Sequence, residues 1–327
     1  MKNQFFILLF FCLQYFYSPG QSRKGEPLAH TFSVVARDSK TGEMGLAVQS
    51  HWFSVGTVVS WGEAGVGVIA TQSFVNKSFG IKGLALLKEG LNPQEVMEKL
   101  LEQDEGKDFR QVAILDTKGG VASHTGKKCI MEAGHRNGQD FSVQANMMLN
   151  ENVVPAMEKA WKENENLPLG ERLVAVLKAG QQAGGDVRGK QSAALLVVKG
   201  KASDAPWQDR LIDLRVDDHV DPILELERLL KVHRAYDFMN EGDLWVEKGN
   251  MDKAMEAYQA AMNLFPKNLE MQYWTAVTLA NNGEFEKAKK ILKRVFDQEP
   301  HWKILTKRLP PVGLLTLSEE ELKKLLD

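Results

Sequence analysis

The sequence predicts an α+β protein in which a layered domain of antiparallel sheets and paired helices precedes an all-α region. Three observations lead to this prediction. Short apolar runs rich in β-branched residues alternate with turns over 31–216, two pairs of helical segments interrupt them, and a repeat with helical spacing follows. A chain of 327 residues, 43 % of them hydrophobic, is long enough for two such domains.

The predicted strands follow one another mostly through hairpin connections. Residues 31–36 and 44–49 are apolar runs on either side of a turn that holds Asp38 and Gly42. By the same criteria we expect further strands at 55–61, 65–71, 111–115, 121–124, 141–147, 192–199 and 211–216.

The predicted helices lie at 81–89, 94–102, 154–163 and 171–182. Gly90 is typical of the residue that follows a helix, and Asn92 with Pro93 is typical of a helix start. Because each pair of helices separates runs of hairpin-linked strands, the pattern favours antiparallel sheets with helices packed outside over a parallel βαβ fold.

A repeat of 34 residues is visible in the C-terminal third. Gly249, Ala254, Tyr258 and Pro266 recur 34 positions later as Gly283, Ala288, Leu292 and Pro300. A small alanine lets paired helices approach and a proline ends the second helix, so the pattern resembles the tetratricopeptide repeat. Two such units are too few to be stable alone, and we expect them to pack on 223–245 or on the first domain.

Composition excludes several classes of function. Lys and Arg number 41 against 43 Asp and Glu, so the chain lacks the basic excess of a nucleic-acid-binding protein. Cys12 and Cys129 are its two cysteines, which excludes a disulfide framework and a multi-cysteine zinc site. The sequence contains no HExxH, GxSxG or Walker pattern. We predict neither a cofactor nor a metal.

The N-terminus predicts export. Lys2 precedes an apolar run over 5–13, which is shorter than the roughly 20 residues of a membrane span. Gly20 supplies a small residue for a signal-peptidase cut. We expect a signal peptide over 1–20, a linker or pro-segment over 21–30, and a periplasmic or extracellular protein.

Thr31 is the candidate nucleophile. It begins the first predicted strand directly after the polar segment. If cleavage made it N-terminal, its α-amine, with a pKa of about 8, would act as base for its own hydroxyl, and no histidine would be needed. The alternative is a strand threonine without a catalytic role.

Asp217, Asp218 and His219 form the densest group of potential metal ligands. Carboxylates and imidazole would suit a metal-dependent enzyme. Their place between the last strand and the helical region is also typical of a solvated linker with Asx turns, and the sequence favours the linker.

Six segments carry a wider resemblance: TFSVVARDSKTGEMGLAVQSHWFSVG, GEAGVGVIATQSFVNKSFGIKGLALLKEG, RQVAILDTKGGVASHTGKKC, AGHRNGQDFSVQANMML, AGGDVRGKQSAALLVV and DLRVDDHVDP. Over 31–222 the chain resembles a bacterial family called "domain of unknown function 1028". The resemblance implies a fold like that of N-terminal-nucleophile (Ntn) hydrolases, with four layers in αββα order. Members often begin Met-Thr-Phe-Ser, and Thr31 matches their threonine, which supports it as the nucleophile of an amide hydrolase.

The resemblance also suggests supporting side chains. Asn146 stands where the family commonly has the Asn of Gln-Gly-Asn, and we expect it to donate to an oxyanion. The candidate substrate-binding residues are Gln72, Asn76, Asp186, Arg188 and Gln191. Because His30 and Leu28 do not suit signal peptidase, freeing Thr31 requires a second cleavage, which we expect to be self-catalysed.

Two functions follow as expectations. The first is an exported Ntn-type amidohydrolase acting on an unidentified amide, such as a cell-envelope component. The second is a non-catalytic envelope binding or scaffold protein whose helical repeats bind a protein or peptidoglycan, since LTKRLPPVGLLTLSEEELKKLL resembles a family segment labelled peptidoglycan-binding. Sheet edges and apolar helix faces are compatible with a homodimer. The predicted regions are 1–20 signal peptide, 21–30 pro-segment, 31–222 Ntn-like domain, 223–302 helical repeats and 303–327 tail.

Overall fold

The computed structural model describes residues 28–326, so the predicted signal peptide and most of the pro-segment lie outside the described residues. The strands are β1 (Leu28–Ala29), β2 (Thr31–Arg37), β3 (Met44–Ser50), β4 (Ser60–Glu63), β5 (Gly67–Phe74), β6 (Arg110–Asp116), β7 (Val121–Thr125), β8 (Gly134–Gly138), β9 (Phe141–Ala145), β10 (Ser192–Val198) and β11 (Arg210–Val216). The helices are α1 (Gly56–Val59), α2 (Ser78–Lys88), α3 (Pro93–Glu102), α4 (Val153–Glu163), α5 (Leu169–Gln182), α6 (Pro222–Glu247), α7 (Met251–Leu264), α8 (Leu269–Asn281), α9 (Phe285–Gln298), α10 (His301–Arg308) and α11 (Glu319–Leu326).

The larger sheet has six antiparallel strands in the order β11-β10-β3-β2-β9-β8. Successive side chains of a strand point to opposite faces, so β2 sends Phe32 and Val34 to one side and Thr31, Ser33 and Val35 to the other. Phe32 and Val34 belong to the apolar cluster formed with α4 and α5, whereas Val35 belongs to the cluster between the two sheets.

The smaller sheet runs in the order β1-β5-β6-β7, with β4 also paired to β5. Its strands place Ala70 and Ala113 against the larger sheet and Ile69 and Ile114 against α2 and α3. Helices therefore cover both outer faces of the stacked sheets. The predicted four-layer αββα sandwich is confirmed.

Local sequence explains how several of these elements begin and end. The Asn92 side chain accepts hydrogen bonds from the backbone of Gln94 and Glu95, and the Glu95 side chain accepts from the Asn92 backbone, which forms a complete capping box. Gly90 follows α2 with a φ of 97°, a conformation that glycine adopts without strain. Both helix-boundary predictions are confirmed.

Three elements differ from the sequence-based prediction. The prediction of a strand at 55–61 is wrong except at its last two residues, because residues Gly56–Val59 form a helical turn that packs Gly56 closely against Ala194. Strand β8 was not predicted, since GHRNG is polar and glycine-rich and serves as a sheet edge. Residues 28–29, assigned to a linker, pair with the end of β5.

The helical region continues directly from the sandwich through α6. The first half of α6 packs Ile223, Leu226 and Leu230 into the cluster beneath the larger sheet, and its second half contributes Ala235 and Met239 to the first repeat core. One helix thus belongs to both cores, which explains how two repeats are supported.

The predicted repeat units are helix pairs. In the first, α7 follows the end of α6 through Gly249 (φ 69°), and in the second, α9 follows α8 through Gly283 (φ 81°). Ala254 and Ala288, the repeated small residues, are completely buried where the helices of each pair meet.

Candidate functional site

Thr31 lies at the end of the sandwich where the layer between the sheets becomes polar. Its side chain is completely buried, and its hydroxyl donates a hydrogen bond to the Ala29 carbonyl oxygen at 2.8 Å. Its nitrogen belongs to the His30–Thr31 peptide bond. In this chain the predicted nucleophile is therefore inside the fold, with its nitrogen in an amide.

The carbonyl oxygen of that peptide bond is held by two side-chain donors. The Ser50 hydroxyl donates to His30 O at 2.6 Å, and Nη2 of Arg188 donates to it at 2.7 Å. Ser50 reaches this position because the β2–β3 hairpin pairs it directly with Thr31. Two donors converging on one carbonyl oxygen is the arrangement that stabilises an oxyanion in acyl transfer.

Asp186 orients the Arg188 guanidinium. Arg188 donates from Nε to Oδ1 at 3.0 Å and from Nη2 to Oδ2 at 2.7 Å, which is a bidentate pair. The buried Asp186 carboxylate also accepts the backbone N–H groups of Arg188 and His51. These bonds anchor the carboxylate and thereby fix the guanidinium beside the His30 carbonyl.

The His30 ring is buried next to the same bond. Its Nδ1 lies 2.7 Å from Asn146 Oδ1, and its ring meets Phe74 edge-on with centroids 5.7 Å apart. Burial lowers the pKa of His30 below its ordinary value and outweighs the Asn146 hydrogen bond, which raises it. The imidazole is therefore neutral at physiological pH.

The surrounding amides determine which nitrogen of His30 carries the proton. A backbone carbonyl oxygen can only accept a hydrogen bond, so the Gln111 atom that faces Ala145 O at 2.9 Å is the donor Nε2. The other Gln111 atom, Oε1, then accepts from the Asn146 amide nitrogen at 2.8 Å. Asn146 then presents its Oδ1 to the ring. This assignment, made from the hydrogen-bond network, places the proton on Nδ1 of His30.

Gln72 lies between Thr31 and this network. Its Nε2 donates to Thr31 O at 3.1 Å and to Gln111 Oε1 at 2.7 Å, and its Oε1 accepts from the Ser33 hydroxyl at 2.6 Å. Gln144 in turn donates to Ser33 and to the Ala70 carbonyl. Side chains from both sheets thus form one buried network beneath the His30–Thr31 bond.

Comparison with known proteins gives the family. The model of a family of unknown function, DUF1028, matches residues 31–226. The chain belongs to this family. The match begins at Thr31 and continues into α6, so it spans the sandwich that carries the site. A tetratricopeptide-repeat model matches residues 246–309, and repeats of this class form surfaces that bind other proteins. The predicted resemblances to DUF1028 and to the tetratricopeptide repeat are confirmed, and the resemblance of the tail to a peptidoglycan-binding segment stays a prediction.

A solved DUF1028 structure resembles the chain. The crystal structure of protein SPO2555 from Silicibacter pomeroyi covers 62 % of this chain and 85 % of its own, with 31 % identity and a TM-score of 0.57. An Anbu (ancestral β-subunit) protein from Yersinia bercovieri aligns over 61 % of this chain and 92 % of its own at 12 % identity, with a TM-score of only 0.30, which does not indicate a shared fold. No curated protein matches the chain.

The DUF1028 domain brings most of the predicted site residues together. Thr31, Asn146, Gln72, Asp186 and Arg188 all lie around the His30–Thr31 bond. Their proposed roles stay predictions. The Asn146 amide nitrogen faces Gln111, and the two donors on the His30 carbonyl are instead Ser50 and Arg188.

Two predicted residues have their side chains in other hydrogen bonds. Asn76 accepts from the Ser78 backbone and hydroxyl just before α2, where it forms an Asx turn. Gln191 donates from its side chain to Asp218 at 3.2 Å, although its backbone N–H bonds to Ser50 O. Their substrate-binding roles also stay predictions.

Sequence reasoning did not select Ser50, His30 or Gln111. Ser50 had a usable signal, because the hairpin around Asp38 sets a register in which it faces Thr31. The contact of His30 with Asn146 spans 116 residues and has no local signal.

The Asp217–His219 segment engages three separate partners. Asp217 accepts from Ser54, Asp218 from Gln191, and His219 from the backbone of Asp221. Among residues 28–326 no group of three His, Cys, Asp or Glu side chains is placed to hold a metal ion. In the same part of the chain, no helix combines the length and the apolarity needed to span a membrane.

Proposed function

We propose that this DUF1028 protein is an N-terminal-threonine amide hydrolase whose nucleophile is released by self-cleavage of the His30–Thr31 bond. The observation that carries the proposal is the pair of donors on the His30 carbonyl oxygen, the Ser50 hydroxyl at 2.6 Å and Arg188 Nη2 at 2.7 Å. The Arg188 guanidinium, held in place by Asp186, would stabilise the negative charge that develops on this oxygen when the carbonyl is attacked.

The self-cleavage step transfers an acyl group from nitrogen to oxygen. The Thr31 hydroxyl oxygen gives up its hydrogen bond to Ala29, attacks the His30 carbonyl carbon, and forms a tetrahedral oxyanion facing Ser50 and Arg188. The C–N bond then breaks, and the leaving nitrogen receives the proton that the hydroxyl loses. Water hydrolyses the resulting ester, which yields the His30 carboxylate and restores the hydroxyl.

The freed amine completes the catalytic group. An α-amine has a pKa of about 8 and accepts the hydroxyl proton at neutral pH. The same oxygen then attacks the carbonyl of an external amide, whose oxygen replaces that of His30 between Ser50 and Arg188. The substrate becomes an acyl ester of Thr31 with loss of its amine, and water releases the acid.

The proposal includes export of the protein and a substrate from the cell envelope. The N-terminal apolar run supports export, and an exported hydrolase would meet amides of the cell envelope. The helical repeats would bind a protein partner, and the C-terminal tail would contact peptidoglycan.

The second candidate is a non-catalytic envelope binding protein. The observation in its favour is that Thr31 is completely buried with its nitrogen in a peptide bond, and in this form it has no base of its own. The repeats would then carry the function and the sandwich would act as a scaffold.

Intact mass and N-terminal sequencing of the purified full chain, followed over time in buffer alone, test the proposal. We expect a new N-terminus at Thr31. Thr31→Ser should still cleave, and Thr31→Ala should stay intact. Thr71→Ala is the matched control. Thr71 is an equally buried strand threonine, but it lies on the face of β5 opposite to Gln72 and therefore away from the His30–Thr31 bond, so this variant should cleave like wild type.

Activity is then measured on the cleaved chain with p-nitrophenyl acetate, a small activated ester that any exposed acyl-accepting threonine can use. Turnover that Thr31→Ala abolishes supports the hydrolase. A wild-type chain that stays uncleaved, or cleavage that persists in Thr31→Ala, contradicts self-cleavage. Absence of turnover in a chain freed to begin at Thr31 leaves the binding protein as the better explanation.

A further inference from the structure

The short strand β1 occupies the end of a sheet edge. β6 pairs along one side of β5, so β4 and β1 must share its other side. β4 pairs with Gly67–Ala70 and β1 pairs with Ser73 and Phe74. Cleavage after His30 would remove β1 and leave the last part of this edge without a partner, directly beside Thr31.

The three residues before Thr31, which are Leu28, Ala29 and His30, lie in different environments. The Ala29 methyl group is completely buried in the apolar cluster between the sheets, whereas Leu28 is 42 % exposed. The His30 ring is buried, with Nδ1 donating to Asn146 and one edge against Phe74. The side chains of Ala29 and His30 are therefore buried among fixed neighbours, whereas the Leu28 side chain is partly exposed.

An external substrate has to follow the same path. Its carbonyl carbon must meet the Thr31 oxygen while its carbonyl oxygen lies between Ser50 and Arg188. These points fix the position and direction of the acyl half of the substrate, and the vacated β5 edge continues along that direction.

We propose that the substrate is a peptide that adds to the end of β5 as an antiparallel strand, taking the place of Leu28–Ala29–His30. The residue before the cleaved bond would be a histidine or a similar flat hydrogen-bond donor, and the residue before that would be small. Strand addition supplies backbone hydrogen bonds, and the buried neighbours supply the selectivity. This inference rests on the proposed function, because Thr31 must be freed first.

Peptide binding tests the substrate class without turnover. The protein is a chain beginning at position 31 with Thr31→Ala; it keeps every described strand except β1, and the DUF1028 match begins at the same residue. Acetyl-Leu-Ala-His-N-methylamide is titrated by calorimetry. Its controls replace the alanine by D-alanine or leucine, or the histidine by phenylalanine.

We expect saturable binding of the parent peptide and affinities about tenfold lower or worse for each control. D-alanine directs its methyl group away from the buried site, leucine is too large for it, and phenylalanine leaves the Asn146 oxygen without a donor. Equal affinities for all four peptides, or no saturable binding at millimolar concentration, would overturn the inference.

Self-cleavage of the full chain gives a second readout. Ala29→Leu and His30→Phe should slow it about tenfold or more, and Leu28→Ala should slow it least, because Leu28 is the most exposed of the three. Unequal peptide affinities with no Thr31-dependent turnover of p-nitrophenyl acetate would refute the hydrolase and keep the peptide site. Turnover of the ester with equal affinities would keep the hydrolase and refute the peptide site.

Discussion

The two ends of the space between the sheets differ in chemistry although the same strands build both. The end next to the β2–β3 turn is apolar and completely buried, with Val35, Met44, Leu46, Leu115 and Val198. The other end is equally buried but polar, with Thr31, Ser33, Ser50, Gln72, Gln111 and Gln144.

The two ends stabilise the fold differently, and under the proposed function the polar end is where the chemistry takes place. Apolar side chains stabilise the fold by burial alone and need no particular partner. Buried amides and hydroxyls lose their hydrogen bonds to water and need hydrogen bonds within the protein to offset that loss. For the same buried volume they therefore stabilise the fold less than apolar side chains do. The polar end surrounds the His30–Thr31 bond, where Ser50 donates to the His30 carbonyl and Gln72 donates to the Thr31 carbonyl.

Leu46→Ala should separate the two ends most strongly. Leu46 is completely buried at the apolar end, and its truncation leaves a cavity that lowers the free energy of unfolding by about 2–5 kcal/mol. Denaturant unfolding measures this loss. The rate of His30–Thr31 cleavage, measured well below the unfolding midpoint, should stay close to wild type, and a large fall in that rate would show that the ends are not separable.

Ser50→Ala should act in the opposite way. It removes one of the two donors on the His30 carbonyl, and the loss of one such donor slows acyl transfer by about 10²- to 10³-fold, or roughly 3 kcal/mol. Ser33→Ala is the control, because Ser33 bonds to Gln72 and not to the carbonyl. Time-resolved intact mass gives both rates. Equal slowing in the two variants would remove the special role of Ser50.

Gln111→Leu should destabilise the polar end without removing a contact to the His30 carbonyl. It deprives the amide nitrogens of Gln72 and Asn146 of a shared acceptor, and each unsatisfied buried donor costs about 1–3 kcal/mol. Thermal unfolding should show a lower midpoint than wild type. A midpoint that is unchanged or higher would mean that the network is not needed for stability.

The smallest expected effect is a pH dependence due to His30. Burial lowers the pKa of His30 in the folded chain, so above its unfolded value both states are neutral and the residue contributes nothing. As the pH falls below that value, the unfolded chain gains a proton that the folded chain refuses, and stability declines until the pH passes the lowered pKa. Unfolding is measured in Thr31→Ala, where the segment stays attached.

The matched protein for this measurement carries Thr31→Ala together with His30→Asn. Asparagine cannot take up a proton, so the difference between the two stability curves isolates His30. The two curves should diverge on acidification from neutral pH. Parallel curves would show that His30 is not buried as a neutral ring.

Sequence patterns predicted elements whose signals are local. The capping residues of α3 and the glycine after α2 were sufficient because each depends on neighbouring residues, and the repeats were visible because one short helix pattern recurs along the chain. Strand β8 and the turn Gly56–Val59 were not predicted, since a polar edge strand lacks alternation and a short apolar helix has the composition of a strand.

In the candidate site, too, the features with a local sequence signal could be predicted and the others could not. Thr31 was selected from its place at the start of a strand, and the register that pairs it with Ser50 is set by one short hairpin. The sequence by itself therefore determined the layered domain, the repeats and the candidate nucleophile. Only the tertiary structure decided what surrounds the bond before that nucleophile: Arg188 reaches His30 O from 158 residues away, and Asn146 reaches the His30 ring from 116. Such contacts depend on how sheets stack and loops fold back, and no periodicity along the chain encodes them.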